Sequence, residues 1–345
     1  MKKFFTLIAL LAATAGTTLS AQCVKVYPKD SRVAITYPLA SLGDITFQGG
    51  SSVNLGNATF TTSAIDSIVV DRTAQALSHT VQVVFNDEKG AFLTISGDVN
   101  ANLTNIQVKG NHVSIAQNPA MTDEVSYILS GSTTNGSFYT SGKYKAALTL
   151  NGVSITNPDS AAIYVDNGKR IDVIMPEGTV NTLVDGATGT QKACFFINGH
   201  AEFKGAGVLN LTGNARHAYA SDEYTLFKAS TGTINVLASA NDGLHIEQYF
   251  QMDGGTVNIP NVKGDCIDVS CTKDVTDEYN GQVFINAGTL KYAVTGEDVK
   301  GLKSETDMTI RGGNIEATVS GNGGLMVMSV SLFKPLTSSP VTAYF

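Results

Sequence analysis

Five stretches of this chain share one grammar: a short β-branched or aromatic run, a turn at glycine, and a second run. They are Ala201–Leu209, Thr225–Ile234, Phe250–Val257, Val283–Leu290 and Met308–Ile315. Aligned on Gly207, Gly232, Gly255, Gly288 and Gly313, they recur at intervals of 25, 23, 33 and 25 residues. A period of about 24 residues with no amphipathic helix suits one coil of a parallel β-helix, whereas a propeller blade needs about 40. Leucine-rich repeats have similar periods, but their regular leucine and asparagine pattern is absent here. The long interval predicts an inserted loop at 272–281. The expected fold is therefore all-β, a right-handed parallel β-helix whose coils lie about 4.8 Å apart, so that equivalent side chains stack into ladders.

The stack is expected over 79–324, with the repeat clearest from about residue 125 and the runs between 79 and 120 beginning or capping it. Residues 22–78 read as a small β-rich module, in which Ser31–Tyr37 and Ile65–Val70 alternate in the manner of half-buried strands. After Gly321–Gly324 the run 325–345 departs from the grammar, as an atypical cap or as a truncated or frame-shifted end. Residues 1–21 read as a secretory signal: Lys2 and Lys3, an apolar run from Phe4 to Ala13, and small residues up to Ala21. Cleavage after Ala21 is expected, because Gln22 is a poor residue before a lipidated Cys23. A secreted or envelope location follows. No later segment approaches the roughly 18 uninterrupted apolar residues of a membrane span.

Thirty acidic against 23 basic side chains, with no run of five like charges, argue against a nucleic-acid or anionic-membrane surface. The 34 glycines, 8 prolines and absent tryptophan fit many short strands, not a flat indole platform for crystalline glycans. Export permits disulfides, and Cys266 and Cys271 could close a small loop; packing as buried thiols is the alternative. No zinc-type Cys/His cluster is expected.

The chemistry concentrates at acidic turns. Asp242 and Asp265 are 23 residues apart, one coil, and Asp268 can point into the same corner. Carboxylates held this close repel unless neutralised, and hard oxygen ligands outside the cell suit calcium, so Asp242, Asp265 and Asp268 are the expected metal ligands. Asp and Asn can also simply shape turns through their own hydrogen bonds. On the next coil Lys300 and Lys303 could bind a sugar carboxylate, and Lys300 could act as a base if its pKa were lowered. His217 and His245 lack any Ser or Cys partner of a hydrolase and are read as turn or groove residues. Aromatic faces for sugar rings could come from Tyr164, Tyr219, Tyr224, Tyr249, Phe250, Tyr279 and Tyr292. The expected carbohydrate contacts are Lys300, Lys303, His245 and Tyr249.

Several motifs between Val125 and Gly324 carry a resemblance: Tyr127–Gly131, Lys145–Val153, Glu177–Asp185, Asn241–His245 and Lys300–Ser304. Together they resemble the bacterial cellulose- and acidic-sugar-binding β-helix proteins known as carbohydrate-binding domain-containing proteins. The resemblance implies a pectate-lyase-like β-helix with calcium and affinity for polysaccharide. The acidic corner is also similar to that of family 9 polysaccharide lyases, which implies metal-binding roles for Asp242, Asp265 and Asp268 and a base at Lys300. Gly264 stands where such sites often carry a further acid. The expected function is noncatalytic binding of plant-type or acidic polysaccharide along a calcium-containing groove. A calcium-dependent, pectate-type lyase and an envelope or adhesin stalk are the alternatives.

Overall fold

The computed structural model describes residues 22–320 and the strand Val330–Leu332. The expected signal and most of the expected C-terminal departure lie outside the described residues. No described helix is long and apolar enough to cross a membrane.

The described residues fall into two compact units, 22–29 with 36–77, and 30–35 with the rest. In the first, Cys23–Pro28 runs antiparallel to Ile65–Asp71, and Ile45–Gln48, Ser52–Leu55 and Ala58–Thr61 form an antiparallel meander.

The second unit is a parallel β-helix. Its strands Thr80–Asn86 and Asn111–Gln117 start the stack by pairing in parallel with Val125–Thr133 and Gly136–Ser141. Antiparallel partners, Phe92–Ser96 and Leu103–Lys109, flank those first strands. From there each coil contributes strands to three faces. One face passes through Ile171, Ala201, Thr225, Phe250, Val283 and Met308 in direct register, giving coils of 30, 24, 25, 33 and 25 residues. The second pairs Val208 with Thr233, Thr233 with Thr256, Thr256 with Thr289 and Thr289 with Asn314. The residue before each of these is a glycine of the sequence repeat, so the alignment on Gly207, Gly232, Gly255, Gly288 and Gly313 is the true register. At Gly288 the reason for glycine is steric: φ is +96°, and a Cβ would lie 2.8 Å from the carbonyl oxygen of Gly255 one coil above.

The third face is a nine-stranded sheet built from Leu103–Lys109, Asn111–Gln117, Gly136–Ser141, Ile163–Asp166, Ala193–Asn198, His217–Ser221, Leu244–Glu247, Ile267–Ser270 and Leu302–Ser304. Strand alternation sends one set of side chains inward and the other out. The inward ladder Phe138, Ile163, Phe195, Tyr219, Leu244, Ile267 and Leu302 is buried. Aromatic edges fill the coil interior, with Phe203 packed against Phe195, Tyr219 and Phe227. The Tyr219 hydroxyl, which would be costly unpaired in this interior, shares hydrogen bonds with Thr225 and, through it, Ser221. The expected loop at 272–281 leaves the stack between Ile267–Ser270 and Gln282–Ile285. A second lengthening, between Val180–Asp185 and Ala193–Asn198, accounts for the 30-residue coil and has no glycine-pattern signal in the sequence.

Cys23, Cys194, Cys266 and Cys271 are all free thiols. Cys266 is buried with its Sγ 3.7 Å from the Ala293 carbonyl oxygen, so it packs as a small apolar group.

Candidate functional site

The outward positions of the nine-stranded face form one continuous ladder. Register pairs Tyr139 with Tyr164, Tyr164 with Phe196, Phe196 with Ala220, Ala220 with His245, His245 with Asp268 and Asp268 with Lys303. The first three are aromatic, the last three ionisable, and Ala220 separates them.

In the aromatic half, Tyr139 and Tyr164 lie 5.2 Å apart, and Tyr164 stacks on Phe196 at 4.7 Å with planes 12° apart. Ala193 and Ala220 pack with Phe196, and Tyr164 lies against the three. The tyrosine phenols face Asp166, which accepts from the Tyr139 hydroxyl at 3.3 Å and from the Asn198 amide at 2.7 Å. Burial first, then the charge of Asp166, pushes the Tyr164 phenol up to about 12, so it stays protonated. Lys192, from the lengthened coil, lies over the Phe196 ring and pairs with Asp222 and Glu247.

In the charged half, parallel stacking joins two sets of side chains. The turn residues Asp242, Asp265 and Lys300 follow one another, because the Asp242 Oδ1 accepts the Asp265 amide at 2.8 Å and the Asp265 Oδ1 accepts the Lys300 amide at 2.7 Å. Beside them run His245, Asp268 and Lys303. The His245 Nδ1 lies 3.3 Å from Asp242 Oδ2 and 3.0 Å from Asp268 Oδ2, and the Lys303 Nζ lies 2.8 Å from Asp268 Oδ1 and 3.4 Å from Asp265 Oδ2. His217, one coil above, stacks on His245 at 4.4 Å and brings its Nδ1 within 3.1 Å of the same Asp242 oxygen.

Burial alone would raise Asp242, but the two histidines and the Asp265 amide outweigh it and hold its carboxyl well below the usual range. Burial would lower His245, yet its bonds to Asp242 and Asp268 lift it to about 9. Lys303 likewise keeps its proton: burial opposes the charge, and Asp268 and Asp265 more than restore it. Asp265 is raised by burial, which its Lys300 amide and Lys303 only partly offset.

The predicted residues are thus brought together in part. Asp242, Asp265, Asp268, His245 and Lys303 form one cluster. Lys300 joins it through its amide alone, because its Nζ turns to the carbonyl oxygen of Asp298. Tyr249 is not in it: past Gln248, whose φ is +68°, the chain turns onto the adjacent face, where Tyr249 stacks with Tyr224 at 4.8 Å and meets Tyr279 edge-on. Tyr219 and Phe250 fill the core, and Tyr292 is buried.

The calcium expected at Asp242, Asp265 and Asp268 meets a poor shell. Calcium takes six to eight oxygens, whereas here one oxygen each of Asp242 and Asp265 holds a backbone amide and the others face histidine or lysine nitrogens. The nitrogens of His217, His245 and Lys303 stand where a calcium ion would need further oxygens. Sequence reasoning missed Tyr139, Phe196 and Lys192, and passed over His217. Stepping back one coil from Asp242 would have reached His217.

A family model described as carbohydrate-binding domain-containing protein matches residues 109–331, which include both halves of this ladder. A carbohydrate-binding domain-containing protein of Acetivibrio thermocellus is 30% identical over 159 residues, 41% of this chain and 55% of that protein. The chain thus spans about half the length of that curated relative. The solved structure of a polysaccharide lyase-like protein from C. thermocellum, a gadolinium derivative, matches with a TM-score of 0.54 at 20% identity, covering 74% of this chain and 97% of that one. At that identity the likeness is one of fold. By the extent of the family match, the chain belongs to the carbohydrate-binding domain-containing proteins.

Proposed function

We propose that this protein binds polysaccharide without cleaving it, with the glycan running along the outward ladder of the nine-stranded face. The observation that carries this reading is the unbroken register from Tyr139 to Lys303. Coils about 4.8 Å apart repeat at close to the length of one pyranose ring, so successive sugars meet successive coils. Sugar rings pack on Tyr139 and Tyr164, whose apolar faces suit them. Carboxylates of an acidic glycan can meet the part-exposed ammoniums of Lys192 and Lys303, each of which also carries carboxylate partners of its own. An exported protein with such a face would meet its glycan outside the cell, as the N-terminal segment suggests.

The lyase alternative requires a neutral lysine. Lys303 is held charged by two carboxylates, and Lys300 turns away from the aspartates, which favours binding alone. Incubation with polygalacturonate, with and without calcium, discriminates: no rise in absorbance from unsaturated products is expected. Steady product formation abolished in Lys300→Ala or Lys303→Ala would replace this reading with the lyase. Affinity electrophoresis through polygalacturonate and through a neutral glucan tests binding itself; unretarded migration in both would favour a rigid stalk.

A further inference from the structure

We infer that His217, Asp242 and His245 form a site for a divalent transition metal ion. Among the described residues, these three bring two imidazole nitrogens and a carboxylate oxygen within 4.8 Å of one another. The nitrogens of His217 and His245 stand 3.1 and 3.3 Å from Asp242 Oδ2. Donors placed about 2.1 Å from a tetrahedral ion are roughly 3.4 Å from each other, so each histidine nitrogen already stands close to that distance from the carboxylate oxygen. Asp268 Oδ2 lies 3.0 Å from the His245 nitrogen but outside this group of three, which leaves the remaining positions to water.

An independent observation is the state of His217. Its Nδ1 is buried and close to the carboxylate, yet it makes no hydrogen bond in a residue only 8% exposed. A buried nitrogen donor aimed at a carboxylate oxygen but outside hydrogen-bond geometry is what a ligand nitrogen looks like, and it is costly otherwise. The near-parallel stacking of the two rings, 18° between planes, turns both Nδ1 atoms to the same oxygen. The other Asp242 oxygen, fixed by the Asp265 amide, holds the carboxylate in orientation as outer-shell hydrogen bonds do. Two imidazoles with one carboxylate select zinc, cobalt or related ions over calcium, which prefers a full set of oxygens. The inference stands apart from the polysaccharide reading, since it holds or fails on metal binding alone.

The test is titration of tag-free, chelator-stripped protein with zinc chloride by calorimetry and with cobalt(II) by visible absorption. One ion per chain is expected, with the intense visible bands of four- or five-coordinate cobalt and with calcium unable to displace it at equal concentration. His217→Ala and Asp242→Asn should each weaken binding by at least about a hundredfold, the upper range seen for mere outer-shell changes. His200→Ala, on another face, should leave it intact. Absence of stoichiometric zinc binding, an octahedral aqua-type cobalt spectrum, unaltered affinity in folded His217→Ala, or preference for calcium would each overturn the inference. Should the variants fail to fold, the wild-type cobalt spectrum and the calcium competition decide, because neither requires a substitution.

Discussion

The two halves of the outward ladder sit on the same sheet, in the same register, above the same kind of apolar interior, and yet they have opposite chemistry. Tyr139, Tyr164 and Phe196 hold one another by ring contacts, whereas His245, Asp268 and Lys303 hold one another by charge. The difference shows how a β-helix divides its labour. Inward positions must interdigitate with the coils above and below, so Phe195, Tyr219 and Phe227 are fixed by packing. Outward positions are constrained only by their ladder neighbours, and a neighbour of like kind is the easiest to satisfy. Ala220 marks where one kind gives way to the other.

The largest effect should come from emptying the aromatic half at its most buried ring. Phe196→Ala should cost about 3 kcal/mol of stability in urea unfolding, since it deletes a buried ring and leaves Tyr164 without its stacking partner. A loss below about 1 kcal/mol would mean that the rings cover the sheet without contributing to it.

The charged half should respond to pH where the aromatic half does not. The folded pKa of His245 is raised, so the stability it confers is fully present below the unfolded value near 6.5 and is lost as pH rises through about 9. In chelator-stripped protein, unfolding free energy should fall by about 3 kcal/mol between pH 6.5 and 9.5, and His245→Gln should flatten the profile. The facing groups are Asp242, Asp268, His217 and Lys303; the first two stay ionised and Lys303 stays protonated over most of that window. Tyr164, pushed to about 12, adds nothing there.

Binding should separate the halves by substrate. Tyr164→Ala should weaken affinity about tenfold for neutral and acidic glycans alike, because stacking ignores charge. Lys303→Ala should weaken only the acidic glycan, by about fivefold at low salt and less as salt screens the half-exposed ammonium. Equal losses on both glycans for both variants would erase the distinction. The smallest effect belongs to Tyr249→Ala, which lies on the adjacent face and should change affinity by less than about twofold in affinity electrophoresis.

Much of this scaffold could be read before any coordinates. The glycine alignment fell on the true register because a turn that admits only glycine, as at Gly288, leaves its mark in every coil. Asp242 and Asp265 could be stacked because their coil is one of regular length. Tyr164 was read as an aromatic face for sugar, but its neighbours Tyr139 and Phe196 were hidden because the spacing is irregular: the three are separated by 25 and 32 residues, the second interval swollen by the loop that carries Lys192. Lys300 and Lys303 could not be ranked from sequence. Both follow the long excursion after Val294, and only the backbone at Asp298, with φ of +57°, decides which ammonium turns toward the aspartates. Tyr249 parts from His245 for a similar reason, since a corner at Gln248 separates the two by four residues and one sheet.

The most direct test is a crystal of the protein soaked with an oligogalacturonide. The account predicts sugar density lying along the ladder, rings over Tyr139 and Tyr164 and a carboxylate within hydrogen-bond reach of Lys303 or His245. An ordered oligosaccharide seated instead on the face that carries Tyr224 and Tyr249, with the ladder bare, would contradict it.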